Sequence, residues 1–268
     1  AEAGCQPDTV IASMVRSGWD ESVAQQAMES TLTQRLDEIA AERRLVTAPA
    51  GPVPEPDLAQ SPNGLLVDGH PVQVVVALQR PRVVVFGGFL THDECDALVE
   101  RARPRLSRSE TVDTSTGGSE VNVARTSDGM FFARGETGVV EQVERRIAAL
   151  LRWPVDHGEG LQVLRYRPGA EYRPHHDYFD PERPGTAPVL ARGGQRVGTL
   201  VMYLAAPEAG GATTFPDIGL DVAPVKGHAV FFSYDRPHPS TRTLHGGAPV
   251  LAGEKWVATK WLRERRFD

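Results

Sequence analysis

A short segment at residues 172–177, with the sequence YRPHHD, constrains the fold more than any other part of the chain. If this segment is a strand, His175 and Asp177 project from the same face, because strand side chains alternate with a period of two. An imidazole and a carboxylate held side by side supply two of the three ligands of a metal site. The third ligand has to come from a remote strand that pairs nearby, so the fold must bring distant segments together.

His245 is the candidate for the third ligand, since it lies far downstream in the strand-like segment TLHGG at residues 243–247. Two histidines and one carboxylate form the facial triad of non-haem Fe(II) oxygenases, which leaves three coordination positions open. An H-x-D triplet alone is common on solvated surfaces, so the prediction of a metal depends on the rest of the pattern. The other histidines are assigned to surface or structural positions, and His176 to the face opposite His175.

Lys255 follows His245 in the segment GEKWVATKW at residues 253–261, which has the character of a strand running back beside the first. A lysine buried beside a metal needs an anionic partner, because burial without one favours loss of its proton. The far carboxylate of 2-oxoglutarate meets that requirement. Lys260 is an odd number of positions away and is predicted to point to the opposite face, while Trp256 is predicted to be core.

The run from Leu161 to the C-terminus resembles the catalytic domain of the prolyl 4-hydroxylases, in the Fe(II)/2-oxoglutarate dioxygenase superfamily. The matching motifs, in order, are YRPG (166–169), YxPHxDYF (172–179), TLVMYL (199–204), GGATTFP (210–216), VKGHA (225–229) and the block from His245 to Trp261. The resemblance extends over roughly residues 82–266. It implies a dioxygenase that uses Fe(II), 2-oxoglutarate and dioxygen, with ascorbate as reductant, to hydroxylate proline at the 4-position in a peptide or protein, releasing succinate and carbon dioxide.

The same resemblance implies roles for individual residues. It implies that His175, Asp177 and His245 are the catalytic metal ligands and that Lys255 is the anchor for 2-oxoglutarate. Tyr166 and Thr213 match the hydroxyl partners of that cosubstrate. The positions that match the peptide groove are Tyr172, Arg196, Trp261, Arg125 and Ser127, the last two from an Arg-Thr-Ser motif. Arg263 stands where some relatives carry a histidine.

From Leu161 onward, short strands alternate with Gly/Pro turns, a rhythm that predicts a double-sheet jelly roll of the cupin type. The predicted fold class is α+β, mainly β: a double-stranded β-helix core with flanking helices and a small N-terminal helical module. The flanking elements are a β-rich stretch at 64–89, a capped helix from Thr91 to about Arg103, and a helix over 136–152. In the last of these, Glu144 and Arg146 are assigned to the polar face. Residues 107–122 are predicted to be a loop of the kind that forms lids.

The domain organisation follows from composition along the chain. Residues 1–46 are predicted to form the helical module, 47–63 a proline-rich linker and 64–268 the catalytic domain. Two apolar stripes at helical spacing flank the turn SGWD at 17–20, where Gly18 suits a helix C-terminus and Asp20 an N-cap. Prolines concentrated between 47 and 62 block helix and favour an extended chain.

The charge and the cysteine content limit which partners and which cellular compartment are expected. The formal net charge of −6 argues against a nucleic-acid binder. No run is long and apolar enough to span a membrane, so no membrane partner is expected. The two cysteines, Cys5 and Cys95, are too few for a disulfide framework and fit a cytoplasmic protein. The oligomeric state, monomer or homodimer, is left open.

Two alternative functions stay open at this point. The first keeps the chemistry but replaces the peptide with a free amino acid or another small molecule. The second is a cupin-like binding or sensing module that holds a metal without turnover. Release of succinate in the presence of Fe(II), 2-oxoglutarate and peptide separates the second from the enzymatic hypotheses.

Overall fold

The structure is a computed structural model that describes residues 7–32, 51–109, 111–112, 119–120 and 126–268. The chain divides into two compact units, residues 1–49 and 50–268. In the first unit, helix α1 (Pro7–Arg16) and helix α2, described over 21–32, flank the predicted turn. Gly18 has a φ of +95° just beyond α1, and Asp20 accepts a hydrogen bond from the backbone N of Ser22 at 2.9 Å. Residues 33–46 of the predicted helical module lie outside the described residues.

The second unit is built mainly of antiparallel strands. The strands of the nine-stranded sheet are, in spatial order, β1 (Gly64–Val67), β2 (His70–Leu78), β3 (Arg82–Gly87), β14 (Ala229–Ser233), β10 (Arg196–Ala205), β17 (Lys255–Arg263), β8 (Leu161–Tyr166), β7 (Asp128–Phe132) and β4 (Ser107–Arg108). A four-stranded sheet has the order β13 (Leu220–Val222), β12 (Thr213–Phe215), β15 (His245–Gly247) and β9 (Tyr172–His175). Two further pairs are β11 (Ala209–Gly210) with β16 (Val250–Ala252), and β5 (Thr111–Val112) with β6 (Ser119–Glu120).

The α-helices in the described part of this unit are α3 (His92–Ala102), α4 (Gly138–Leu151) and α5 (Thr186–Ala191). Within the part of the chain that the structure describes, no helix has the length and apolar character needed to cross a membrane.

Alternation along the central strands divides the core into two layers. On β10, Leu200 and Met202 join a cluster that contains Leu98 of α3 and side chains of α4. On the opposite face of the same strand, Tyr203 joins a second cluster that contains Phe215 of the four-stranded sheet. One face of the large sheet is therefore covered by helices and the other by the small sheet, which confirms the predicted double-stranded β-helix with flanking helices.

Helix α3 begins at the predicted capping box. Thr91 Oγ1 accepts from the backbone N of Glu94 at 3.1 Å, and Glu94 Oε2 accepts from the backbone N of Thr91 at 2.9 Å. Each such bond satisfies a backbone donor that the first helical turn leaves without a partner. The sequence therefore located the start of this helix correctly.

The polar face predicted for α4 is wrong for two residues. Glu144 and Arg146 are only 3% and 2% exposed. Arg146 makes two hydrogen bonds to Glu94, at 2.7 and 2.8 Å, and Glu144 pairs with Lys260 of β17. These partners lie far away in the sequence, so the helical pattern alone could not show that the charges are neutralised inside the protein.

Part of the proline-rich stretch belongs to the second unit and packs within it. Pro54 and Pro56 are buried, and the backbone N of Glu55 donates to the carbonyl of Leu151 at 3.0 Å. A Cβ at Gly198 of β10 would lie only 2.6 Å from Pro54 Cγ, so this close approach requires glycine. The domain boundaries at 46 and 63 remain predictions.

Short strands occupy parts of the segment that the sequence predicted to be a loop at 107–122. Strand β4 pairs with β7, and β5 pairs with β6. Ser109 follows β4 and is also described. Residues 110, 113–118 and 121–122 of this segment lie outside the described residues.

Cys95 is fully buried in α3, within the core cluster beneath the helices. Burial raises the pKa of its thiol to about 11. Because the thiolate is the reactive form of cysteine, this thiol is unreactive at neutral pH, in agreement with its predicted core role.

Candidate active site

His175, Asp177 and His245 converge in a pocket between the two sheets. Strands β9 and β15 are antiparallel neighbours with His175 directly opposite His245, so the two ring centroids are 4.4 Å apart. Asp177 Oδ1 lies 3.5 Å from His175 Nε2, and Asp177 Oδ2 lies 3.4 Å from His245 Nε2. The ligand atoms of all three residues lie within 4.8 Å of one another. The structure therefore brings the three predicted metal ligands together.

Backbone carbonyls determine which nitrogen of each imidazole carries the proton. His175 Nδ1 is 3.0 Å from the carbonyl of Arg173, and His245 Nδ1 is 3.0 Å from the carbonyl of Thr243. Since a carbonyl only accepts, each Nδ1 donates and each Nε2 keeps a lone pair. Burial lowers the pKa of His245 to about 4, so this imidazole is neutral at pH 7. Neutral imidazoles are the form that binds transition metals.

Asp177 supplies the negative charge of the cluster. Burial alone would raise the pKa of Asp177, but the pKa is lowered, because the protonated forms of His245 and His175 and the Arg196 guanidinium stabilise the ionised carboxylate. Two imidazole lone pairs and a carboxylate at this separation repel one another, and a cation between them removes that repulsion. The donor set of two nitrogens and one oxygen fits Fe(II) with open positions.

Lys255 lines the same pocket. It lies opposite Tyr166 in the pairing of β17 with β8, and its Nζ is 5.5 Å from the Tyr166 ring centroid. The side chain is 4% exposed and forms no ion pair within the described ranges; burial lowers its pKa to about 8. A Cβ at Gly247 would lie 3.8 Å from Nζ, so glycine leaves the space beside the ammonium open. The residues therefore fit an anion at this position.

The sequence predicted two hydroxyl groups beside this lysine and missed a third. Tyr166 and Thr213 both line the pocket. Tyr203, which was not predicted, donates its hydroxyl to Thr213 Oγ1 at 2.8 Å and lies with its ring centroid 5.8 Å from Lys255 Nζ. Along β10, residues 199, 201 and 203 share the pocket face, so the alternation of the strand held the signal that would have found it.

Thr199 and Tyr234 were also missed. Thr199 Oγ1 donates to Asp177 Oδ2 at 2.7 Å, and the Tyr234 hydroxyl lies 3.0 Å from Thr199 Oγ1. Burial and the charge of Asp177 raise the pKa of Tyr234 well above its usual value, so its hydroxyl stays protonated. Tyr234 lies just beyond β14, and only the pairing of that strand with β10 brings it to this position.

Two of the predicted groove residues lie in the pocket. The Tyr172 ring stacks on His175 with centroids 3.7 Å apart, and Trp261 lines the pocket wall. The indole Nε1 of Trp261 is buried and finds no hydrogen-bond partner among the described residues. A buried donor without a partner is uncommon in folded proteins.

Arg196 is held by a residue that the sequence did not single out. Its guanidinium donates to Glu159 at 2.6 and 2.9 Å and lies 4.0 Å from the Trp261 ring centroid. Arg263 donates to the same carboxylate at 2.7 Å. The pKa of Glu159 is lowered, because the two guanidinium groups outweigh the opposing effect of burial. Arg196 thus packs against the Trp261 ring while Glu159 holds its guanidinium.

Arg125 and Ser127 are the other two residues predicted for the peptide groove. Ser127 is fully buried, donates to Ser109 Oγ at 2.9 Å and is not among the residues that line the pocket. Arg125 lies outside the described residues. Trp256 is core and Lys260 is on the opposite face of β17 from Lys255, as predicted.

A double-stranded β-helix with two imidazoles, a carboxylate and a buried lysine in one pocket defines the class of 2-oxoglutarate and Fe(II) oxygenases. Comparison with known proteins agrees: the profile of the 2OG-Fe(II) oxygenase superfamily matches residues 161–263. Prolyl 4-hydroxylase 5 of Arabidopsis thaliana is 41% identical over 215 residues, which is 72% of this chain and 72% of that protein. Prolyl 4-hydroxylase 1 of the same plant is 43% identical over 202 residues, 69% of this chain and 70% of that protein.

Comparison with solved structures indicates the same family. The viral collagen prolyl hydroxylase of Paramecium Bursaria Chlorella virus-1, solved as a complex with 2-oxoglutarate, is 30% identical with a TM-score of 0.52. The match covers 68% of this chain and 94% of that one. The chain belongs to the prolyl 4-hydroxylase family.

Proposed function

We propose that this protein is an Fe(II)- and 2-oxoglutarate-dependent dioxygenase that hydroxylates C4 of a proline residue in a peptide or protein, with succinate and carbon dioxide as co-products. The observation that carries the proposal is a single pocket that holds the cluster of His175, Asp177 and His245 together with the ammonium of Lys255. Proline as the target rests on the relatives, which are named prolyl 4-hydroxylases.

The metal ligands have a defined chemical role in this proposal. His175 and His245 bind Fe(II) through Nε2, because their Nδ1 atoms donate to backbone carbonyls. Asp177 adds a carboxylate oxygen. Bound iron would supply dioxygen activation coupled to oxidative decarboxylation of 2-oxoglutarate, with ascorbate as the reductant that keeps the metal ferrous. The protein holds the metal, orients the reactants and excludes water, and no side chain has to act as a general base.

The cosubstrate is held at its far end. Lys255 forms a charge-assisted hydrogen bond to the carboxylate of 2-oxoglutarate that lies away from the metal. Tyr166 and Thr213 offer hydroxyl groups beside it, and Tyr203 orients Thr213 through its own hydroxyl. The open space beside Gly247 accommodates the carboxylate.

The affinity for 2-oxoglutarate is expected to fall above about pH 8. The pKa of Lys255 in the free site is about 8, so below this pH the site already carries the charge that binds the anion. Above it, binding has to take up a proton, and the Kd rises by about tenfold per pH unit. Calorimetry under anaerobic conditions with Mn(II) in place of Fe(II) measures this dependence. Lys255→Arg, which keeps its charge, should remove it; a wild-type Kd that stays constant up to pH 10 contradicts the assignment.

The peptide is proposed to lie against Trp261 and Tyr172, since flat aromatic faces pack well on a proline ring. Arg196, Arg125 and Ser127 remain proposed groove residues by resemblance. An extended proline-containing segment in the polyproline II conformation suits such a groove.

Replacing Trp261 with phenylalanine is expected to raise the KM for peptide by about 5- to 10-fold, because the ring is kept but the buried N–H donor is lost. The affinity for 2-oxoglutarate should stay within about twofold. Trp256→Phe is the matched control: Trp256 lies on the same strand but faces the core, and its N–H bonds to Glu254 at 3.2 Å. An unchanged peptide KM in Trp261→Phe would remove this residue from the groove.

One experiment tests the proposed function and separates the alternatives. The protein is incubated with Fe(II), 2-oxoglutarate, ascorbate and a panel of proline-containing peptides, and mass spectrometry measures hydroxyproline and succinate. One succinate for each hydroxyproline is expected. Succinate released only with free amino acids supports the small-molecule hydroxylase, and no succinate with any substrate supports the binding module. Cytoplasmic localisation remains a prediction.

A further inference from the structure

Three buried side chains form a directed chain of hydrogen bonds that ends on the proposed metal ligand Asp177. The Tyr234 hydroxyl is 3.0 Å from Thr199 Oγ1, and Thr199 Oγ1 is 2.7 Å from Asp177 Oδ2. The exposed fractions of Tyr234, Thr199 and Asp177 are 2%, 0% and 6%. Because a carboxylate only accepts, Thr199 gives it its one hydroxyl hydrogen. Thr199 must then accept from Tyr234, so every donor points toward Asp177.

Backbone pairing holds both hydroxyl groups in place. Thr199 lies opposite Phe232 in the pairing of β10 with β14. The backbone N of Tyr234 donates to the carbonyl of Val197 at 3.1 Å, which extends that pairing beyond the end of β14. The Tyr234 ring also lies 6.3 Å from the Phe232 ring, whose centroid is 4.5 Å from that of His245. Tyr234 is thus fixed by β10 and β14 of the large sheet, whose side chains Thr199 and Phe232 contact the metal ligands Asp177 and His245.

We propose that Tyr234 is a positioning residue for Asp177 and acts through the hydroxyl of Thr199. The bond to Oδ2 restricts rotation of the carboxylate about its side-chain axis and so keeps its orientation toward the two imidazoles. Successive hydroxyl donors polarise one another, so the Tyr234 bond strengthens the Thr199 bond. Residues that orient metal ligands in this way typically change metal affinity by about 10- to 100-fold when removed. The inference rests on the metal site of the proposed function.

The test measures metal binding directly, with Mn(II) titrated anaerobically into the metal-free protein. Thr199→Val, which keeps the shape of the side chain but removes its hydroxyl, should raise the Mn(II) Kd by about 10- to 100-fold. Tyr234→Phe should raise it by about 3- to 10-fold, since only the second bond is lost. Thr199→Ser retains the hydroxyl and should bind Mn(II) nearly as the wild type does. In the Thr199→Val background, Tyr234→Phe should add no further loss, because its effect passes through the missing hydroxyl.

Tyr203→Phe is the control that distinguishes an effect on the orientation of Asp177 from the general effect of losing a buried hydrogen bond. Tyr203 is also fully buried, and its hydroxyl bonds to a threonine, Thr213, on the cosubstrate side. Both Tyr→Phe variants should lower the thermal unfolding temperature, whereas only Tyr234→Phe should weaken Mn(II) binding. Equal Mn(II) affinity in the two variants, or an undiminished effect of Tyr234→Phe in the Thr199→Val background, overturns the inference. Absence of Mn(II) and Fe(II) binding by the wild type instead overturns the proposed function itself.

Discussion

Replacing Asp177 with alanine is expected to abolish detectable Fe(II) binding and to reduce proline hydroxylation by at least about 10³-fold. Asp177 provides the only carboxylate among the three clustered donors in the described residues. Without it, two neutral imidazoles must hold a dication without charge compensation. A metal contributes several kcal/mol to a reaction of this kind, and each 1.36 kcal/mol corresponds to about tenfold in rate. Anaerobic metal titration and hydroxyproline analysis give the two measurements.

The control for this variant is Asp221→Ala. Asp221 is an exposed residue of β13, in the same four-stranded sheet as the histidine ligands. Its removal changes the net charge by the same amount but leaves the metal donors intact, so Fe(II) affinity and turnover should match the wild type. If Asp177→Ala kept hydroxylation above about a tenth of the wild-type rate, the facial triad assigned here would be wrong.

The two histidine donors are positioned by strand geometry, whereas the third donor is not. The period of two predicted a shared face for His175 and Asp177, but β9 ends at His175, so Asp177 lies two residues beyond the strand and still brings its Oδ1 to 3.5 Å from His175 Nε2. The register of β9 with β15 puts His245 directly across from His175. The same alternation separates Lys255 from Lys260 on β17. Rules that operate within one strand, or between two directly paired strands, therefore carried over into the structure.

The charges of α4 could not be predicted in the same way. An amphipathic pattern assigns Glu144 and Arg146 to the polar face, because their own helix offers no partner. Glu94 and Lys260 neutralise them from other elements, at positions far apart in the sequence. Burial of an ion pair depends on both partners and on the packing around them. No local period contains that information.

For the predicted groove residues, the family resemblance indicated their positions but not the contacts that their side chains make. Arg196 was expected to line the peptide groove, and it does lie against Trp261. Its guanidinium, however, is engaged by Glu159, which also binds Arg263. The arginine therefore acts first on the protein itself, whereas Trp261, whose Nε1 finds no partner among the described residues, lines the pocket.

Lys255→Met is expected to weaken 2-oxoglutarate binding by about 10²- to 10³-fold while making the cosubstrate-free protein more stable. The lost affinity reflects removal of a buried, charge-assisted hydrogen bond. The gained stability follows from the pKa of Lys255, which burial lowers from 10.5 to about 8. At neutral pH, folding therefore buries an ammonium at a cost of about 3 kcal/mol, which methionine avoids. Calorimetry with 2-oxoglutarate and denaturant unfolding of the metal-free protein measure the two effects, and Fe(II) affinity should be unchanged.

The difference in stability between the wild type and Lys255→Met is expected to depend on pH. Between about pH 8 and pH 10.5, the unfolded chain still binds a proton at Lys255 that the folded protein has released. The stability of the wild type should therefore rise with pH in this window relative to Lys255→Met. The advantage of the variant is complete below pH 8 and should disappear toward pH 10.5.

Lys260→Met is the matched control, because Lys260 is a lysine of the same strand that is also buried, at 2% exposed. Its ammonium faces away from the pocket and bonds to Glu144 and to the carbonyl of Glu159. Its removal leaves Glu144 buried without its cation and should cost about 3–5 kcal/mol of stability. The affinity of the folded protein for 2-oxoglutarate should remain unchanged. Opposite signs for two identical substitutions on one strand would show that Lys255 is kept for its ligand, whereas a loss of stability in both would place Lys255 among the structural charges.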